Sequence, residues 1–155
     1  MASLKSVLVV DDDELLGRMI SELLRGEGYQ VWTAHDGIQG YSTYRQSQTD
    51  VVVTDIEMPR LDGFGMMNCI RTLNSSVKTV YMSGAAAQYR RALIMESQAF
   101  GAPVIRKPFI MMDLLEVLLS VGEKLPPVSP ETSSCDELVW KEAGNPNQSS
   151  TISCT

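Results

Sequence analysis

The chain is poor in the residue types that most often organise a small site by themselves. It has one histidine, His35, and three cysteines, Cys69, Cys135 and Cys154, with no C-x-x-C pair among them. Zinc-ligand spacing and a disulfide framework are therefore not expected, and a reducing, cytoplasmic setting is. Basic residues are outnumbered, 13 Lys and Arg against 19 Asp and Glu, for a formal net charge of −6. Such a surface repels phosphate backbones, which argues against nucleic acid as a direct partner. It does not repel cations. Long apolar runs are missing near the start, where Val7–Val10 is too short for a signal-peptide core or a membrane span. No G-x-x-x-x-G-K is present, and Gly63-Phe64-Gly65 lacks the third glycine of a dinucleotide fingerprint.

What is present reads as one domain of ordinary size: 155 residues, 44% hydrophobic and 21% charged. Val7-Leu8-Val9-Val10 has the unbroken apolar character of a strand covered on both faces. Leu15, Leu16, Met19, Ile20, Leu23 and Leu24 then recur at helical spacing, and Gly26 and Gly28 end the run. Tyr29–Ala34 has strand character, and Asp36-Gly37 opens a helix weakened by Gly40, Ser42 and Thr43. Val51–Asp55 reads as a short buried strand, a β-branched run ending on a lone carboxylate. Phe64, Met67, Ile70 and Leu73 give a third helix, Thr79–Ser83 a fourth strand, and residues 88–99 a fourth helix. Val104-Ile105 is a short fifth strand, and Met111, Leu114, Leu115, Leu118 and Leu119 mark a fifth helix. Strand and helix alternate throughout, which predicts an α/β fold with a five-stranded parallel sheet and helices on both faces. The predicted domain covers residues 5–121. Residues 122–155, with Pro126-Pro127 and Pro130 and few apolar residues, are expected to be a disordered tail. The methionines, Met66, Met67, Met111 and Met112 among them, read as core filler. His35 reads as a surface residue at a strand end.

The polar residues collect at strand ends. Asp11 and Asp12 follow the first strand, Asp55 ends the third, Ser83 ends the fourth and Lys107 follows the fifth. In a parallel sheet these ends share one edge, the edge where open α/β sheets bind ligands. Taken singly, each has a plainer reading: an Asp after a strand caps a helix, and Asp13 is assigned that duty. Together they form a chemical set. Three neighbouring carboxylates repel one another unless a cation sits among them, and hard oxygen ligands without His or Cys suit Mg²⁺. A carboxylate can act as nucleophile and form an aspartyl-phosphate, with Lys107 and the Ser83 hydroxyl stabilising the phosphoryl oxygens.

Residues 5 to 121 resemble the receiver domain of two-component response regulators. The likeness is carried in order by Val9-Val10-Asp11-Asp12-Asp13, Asp55-Ile56-Glu57-Met58-Pro59 with Asp62-Gly63, Met82-Ser83-Gly84 and Lys107-Pro108-Phe109. The resemblance implies a flavodoxin-like, doubly wound sheet in the order 2-1-3-4-5. It implies that Asp55 accepts phosphate from a histidine kinase or phosphotransfer protein. Asp12 would hold Mg²⁺ directly and Asp11 largely through water, with Asp55 and the backbone carbonyl of Glu57 completing the protein ligands. Ser83 and Lys107 would contact the phosphoryl group, the Lys107-Pro108 bond would be cis, and the side chains of Glu57 and Ala85 would tune dephosphorylation. The implied protein is a switch and not a turnover enzyme. With no helix-turn-helix after the domain, its output is expected through protein contact at the face made by the fourth helix, fifth strand and fifth helix. One position departs from the family: Val104 stands where a Tyr or Phe usually moves inward on activation. The conformational change is therefore expected to be weaker or differently routed, with the fourth helix and its preceding loop as the moving part.

Two other readings compete. A phosphohydrolase of the haloacid-dehalogenase kind would use Asp11 as nucleophile, with Ser83 and Lys107. Leu15 replaces the Thr or Val expected there, no late acidic pair follows Lys107, and Asp55 is left unexplained. A phosphorylation-independent interaction module would leave the acidic pocket unused.

Overall fold

The computed structural model describes residues 4–122. Of the expected tail, residues 122–155, Gly122 is the last residue of the fifth helix and 123–155 lie outside the described residues. The elements run β1 (Ser6–Val10), α1 (Glu14–Gly26), β2 (Gln30–Ala34), α2 (Gly37–Ser47), β3 (Val51–Asp55), α3 (Gly63–Leu73), β4 (Lys78–Ser83), α4 (Arg90–Phe100), β5 (Val104–Arg106) and α5 (Met111–Gly122). All strand pairs are parallel and the sheet order is β2-β1-β3-β4-β5. Among the described residues no helix is long and apolar enough to cross a membrane.

Successive residues of a strand point to opposite faces, and the two cores follow from that alternation. Val7, Val9, Val51 and Val53 pack with Ile20 and Leu24 of α1 and Leu114, Leu118 and Val121 of α5. Leu8, Val10 and Val52 pack on the other face with Tyr44 of α2, Met66, Met67 and Ile70 of α3, and Leu93 of α4. The chain moves from β1 to β2 in one direction and from β2 through β5 in the other. Right-handed crossovers then place α1 opposite α2, α3 and α4. The direction reverses between β1 and β3, which opens a crevice beyond their carboxyl ends.

Side-chain oxygens start the first three helices. Asp13 accepts from the N–H groups of Leu15 and Leu16, Asp36 from Gln39 and Asp62 from Gly65, each relieving an orphan helical donor. The glycine that weakens α2 is also needed there: a Cβ on Gly40 would lie 2.5 Å from Met66 Sδ. Gly63 likewise lets α3 approach the backbone oxygen of Asp55.

The apolar stripes of three helices are narrower than their sequences suggest. Leu15 and Met19 of α1, Leu73 of α3 and Leu119 of α5 are exposed. Met66 and Met67 are core residues, whereas Met111 is half-buried and Met112 is 64% exposed. Met112 sits two residues before Leu114, about 200° around the helix, and so faces away from the stripe of Leu114, Leu118 and Val121.

Candidate functional site

The crevice at the β1/β3 reversal collects the acidic residues. Asp11 follows β1, is buried, and its N–H bonds the Ala34 carbonyl, which ties it to the sheet. Asp11 Oδ1 accepts the Asp13 N–H at 2.9 Å, so one oxygen orders the entry to α1 while the other, Oδ2, accepts from Lys107 in the crevice. Asp12 is exposed beside it. Asp55 ends the wholly buried β3 and is itself buried. Its Oδ1 accepts the Ile56 N–H at 2.9 Å, and the Thr54 hydroxyl donates to its backbone carbonyl at 2.8 Å.

Carboxylate oxygens of Asp11, Asp12 and Asp55 lie within 4.8 Å of one another. Lys107 reaches in from the segment after β5. Its Nζ donates to Asp11 Oδ2 at 2.9 Å and lies 3.4 Å from Asp55 Oδ2. Burial pushes the Asp55 carboxyl up, and the Asp11 charge adds to this. Lys107 and the Ile56 N–H offset only part of the effect, leaving a pKa of about 6. Burial pulls the Lys107 ammonium down, but its bond to Asp11 and the charges of Asp11 and Asp55 outweigh that, and its pKa stands above the ordinary value. One ammonium thus incompletely balances three carboxylates. The donor set, all hard oxygen, fits a small divalent cation such as Mg²⁺.

Ser83 is buried at the end of β4, and its Oγ accepts the Ala85 N–H at 2.9 Å. That bond leaves the hydroxyl proton able to donate. The Lys107-Pro108 peptide is cis. Val104 is 38% exposed at the start of β5, paired in register with Tyr81. His35 is exposed just beyond β2 and stands outside this constellation. Asp11, Asp12, Asp55 and Lys107 are therefore brought together, with Ser83 at the end of the adjoining strand and Glu57 two residues beyond Asp55.

Two polar groupings beside the pocket had no counterpart in the sequence reading. Glu57 is exposed, and its Oε2 accepts the Tyr89 hydroxyl at 2.6 Å. Tyr81 donates to Glu96 Oε1 at 2.6 Å, and Arg71 pairs with the same carboxylate at 2.9 Å while stacking 3.5 Å from the Phe100 ring centroid. The one available signal was Tyr89 itself, a lone aromatic in Gln88-Tyr89-Arg90-Arg91, standing where a helix usually recruits a small capping residue.

Known proteins are similar to this chain in sequence and fold. The transcriptional regulatory protein RprY of Bacteroides fragilis is 31% identical over 109 residues, 70% of this chain and 45% of its own length. This chain therefore spans less than half of that relative. The chemotaxis protein CheY of Treponema pallidum is 33% identical over 120 residues, 74% of this chain and 81% of its own length. The response regulator TrrA of Thermotoga maritima, solved in complex with Mg(2+)-BeF, superposes with a TM-score of 0.66 at 30% identity, covering 76% of this chain and 99% of that one. The family model for the response regulator receiver domain matches residues 7–119. With the 2-1-3-4-5 sheet and an acidic crevice at its switch point, the chain belongs to the response regulator receiver domain family of two-component signalling.

Proposed function

We propose that the chain is a phosphoryl-accepting switch in which Asp55 is the acceptor. The observation that carries this is the pairing of Asp55 Oδ2 with Lys107 Nζ at 3.4 Å, in an acidic crevice where burial and the Asp11 charge raise the Asp55 pKa to about 6. A donor phosphoryl group, from a histidine kinase or a phosphotransfer protein, is attacked by a carboxylate oxygen of Asp55. A P–O bond forms as the donor's bond to phosphorus breaks, and the donor side chain leaves with its electron pair. Asp11, Asp12, Asp55 and the Glu57 backbone carbonyl would hold Mg²⁺, and the ion would supply charge neutralisation for the phosphoryl oxygens. The Mg(2+)-BeF complex of the related TrrA supports that assignment. Lys107, already bonded to Asp11, can transfer its donor to a phosphoryl oxygen, and Ser83 donates to another.

Output is by contact with an effector protein through α4, β5 and α5. Support comes from exposed apolar side chains on all three, Met95, Val104, Met112 and Leu119. The chain takes part in its own phosphorylation and dephosphorylation without being a turnover enzyme.

Intact mass after incubation with Mg²⁺ and acetyl phosphate tests the reading. One added phosphoryl group is expected, absent from Asp55→Ala and retained, more slowly formed, in Asp11→Ala. An adduct that depends on Asp11 as the modified residue would favour the hydrolase. No adduct in the wild type would favour a passive interaction module.

A further inference from the structure

Resting on Asp55 as the phosphoacceptor, we propose that Tyr89 is a positioning residue whose bond to Glu57 couples the loaded state of Asp55 to helix α4. Tyr89 immediately precedes α4 and occupies its N-cap position, yet no side chain caps this helix. The phenol instead reaches the β3–α3 loop and donates to Glu57 at 2.6 Å, a charge-assisted bond between the two loops that follow Asp55 and Ser83. Glu57 is two residues from Asp55.

The Tyr89 phenol has one hydrogen to give. Phosphorylation raises the negative charge at Asp55 and adds strong acceptor oxygens. Repulsion of Glu57 and competition for the Tyr89 proton both act on the same bond, so loading Asp55 weakens the tie at Glu57. The consequence runs along α4 by contact. The Tyr89 ring meets Phe64 edge-on at 6.0 Å, Phe64 lies 5.0 Å from Tyr81, and the Tyr81 hydroxyl bonds Glu96 in the middle of α4. Leu93 is the one residue that α4 buries, so apolar packing does little to oppose its movement. This route does not pass through β5, where Val104 has no ring to move.

A chain of contacts is not yet a coupling, and mutation must show one. The full chain, ¹⁵N-labelled and bound to Mg²⁺ and beryllofluoride, is compared as wild type, Tyr89→Phe, Glu57→Gln and the double variant. Tyr89→Phe keeps the ring on Phe64, and unchanged amide shifts in β1 and β3 without beryllofluoride report an intact fold. In the wild type, Ile56 and residues 90–96 are expected to shift on adduct formation. In Tyr89→Phe the Ile56 shift persists while the α4 shift shrinks at least about threefold, and the double variant loses no more than Tyr89→Phe alone, the non-additivity of coupled neighbours. Equal α4 shifts in wild type and Tyr89→Phe, or simply additive losses, overturn the proposal. Absence of any Ile56 shift in the wild type overturns the phosphoacceptor reading and this inference with it.

Discussion

Helices α3 and α4 have the same length, eleven residues, and lie either side of β4 in the chain, but they are held by different forces. Helix α3 is capped by Asp62 and buries Gly63, Met66, Met67 and Ile70. Helix α4 has no side-chain cap and buries Leu93. Its other named attachments are polar or charged: Tyr89 to Glu57, Tyr81 and Arg71 to Glu96, and Phe100 under the Arg71 guanidinium. Burial is non-directional and indifferent to a new charge nearby. Hydrogen bonds to carboxylates are directional and respond to one. The helix expected to carry a signal is therefore the one whose contacts a phosphoryl group can rearrange.

The largest effect is expected from the buried side. Ile70→Ala in α3 removes fully buried atoms and should cost about 2–5 kcal/mol, read from the urea midpoint at unchanged m-value. A cost below that of Tyr81→Phe, which removes a polar attachment of α4, would break the contrast between the helices.

The acidic crevice at the carboxyl ends of β1 and β3 has its own pH signature. The Asp55 pKa of about 6 in the folded protein lies above its ordinary value of 3.8, so the folded state binds this proton more tightly than the unfolded state. Its contribution to stability is full below the ordinary value and is lost as pH rises through about 6. In chelator, unfolding free energies measured from acid to neutral pH should fall by about 1–3 kcal/mol more in the wild type than in Asp55→Asn. Saturating Mg²⁺ should remove most of that difference at neutral pH. A wild type and variant that track each other across the range would contradict the burial and charge crowding described for Asp55.

Tyr81→Phe acts next in size. It deletes the bond to Glu96 but leaves the ring on Phe64 and the Arg71–Glu96 pair in place. The expected cost is about 1–2 kcal/mol, with faster amide exchange in α4 than in α3.

How much of this was legible beforehand follows from the range of the interactions involved. Caps at Asp13, Asp36 and Asp62 are local, and so are the apolar runs of β1 and β3, so the elements and the edge on which Asp11, Asp55 and Ser83 stand could be read directly. The order of the strands came from family resemblance, because spacing alone does not say which strand neighbours which. Leu15, Met19 and Met112 were misplaced because their residue type fits an apolar stripe although their angle around the helix does not. The Tyr89–Glu57 bond joins residues 32 apart and depends on how two loops fold over one sheet edge, which no local pattern encodes.

Amide hydrogen exchange with and without Mg²⁺ and beryllofluoride tests the central claim most directly. Helix α3 is expected to remain protected in both states while exchange in α4 and in residues 84–89 changes on adduct formation. Equal responses in α3 and α4, or no change in α4 while the adduct is demonstrably bound at Asp55, would contradict it.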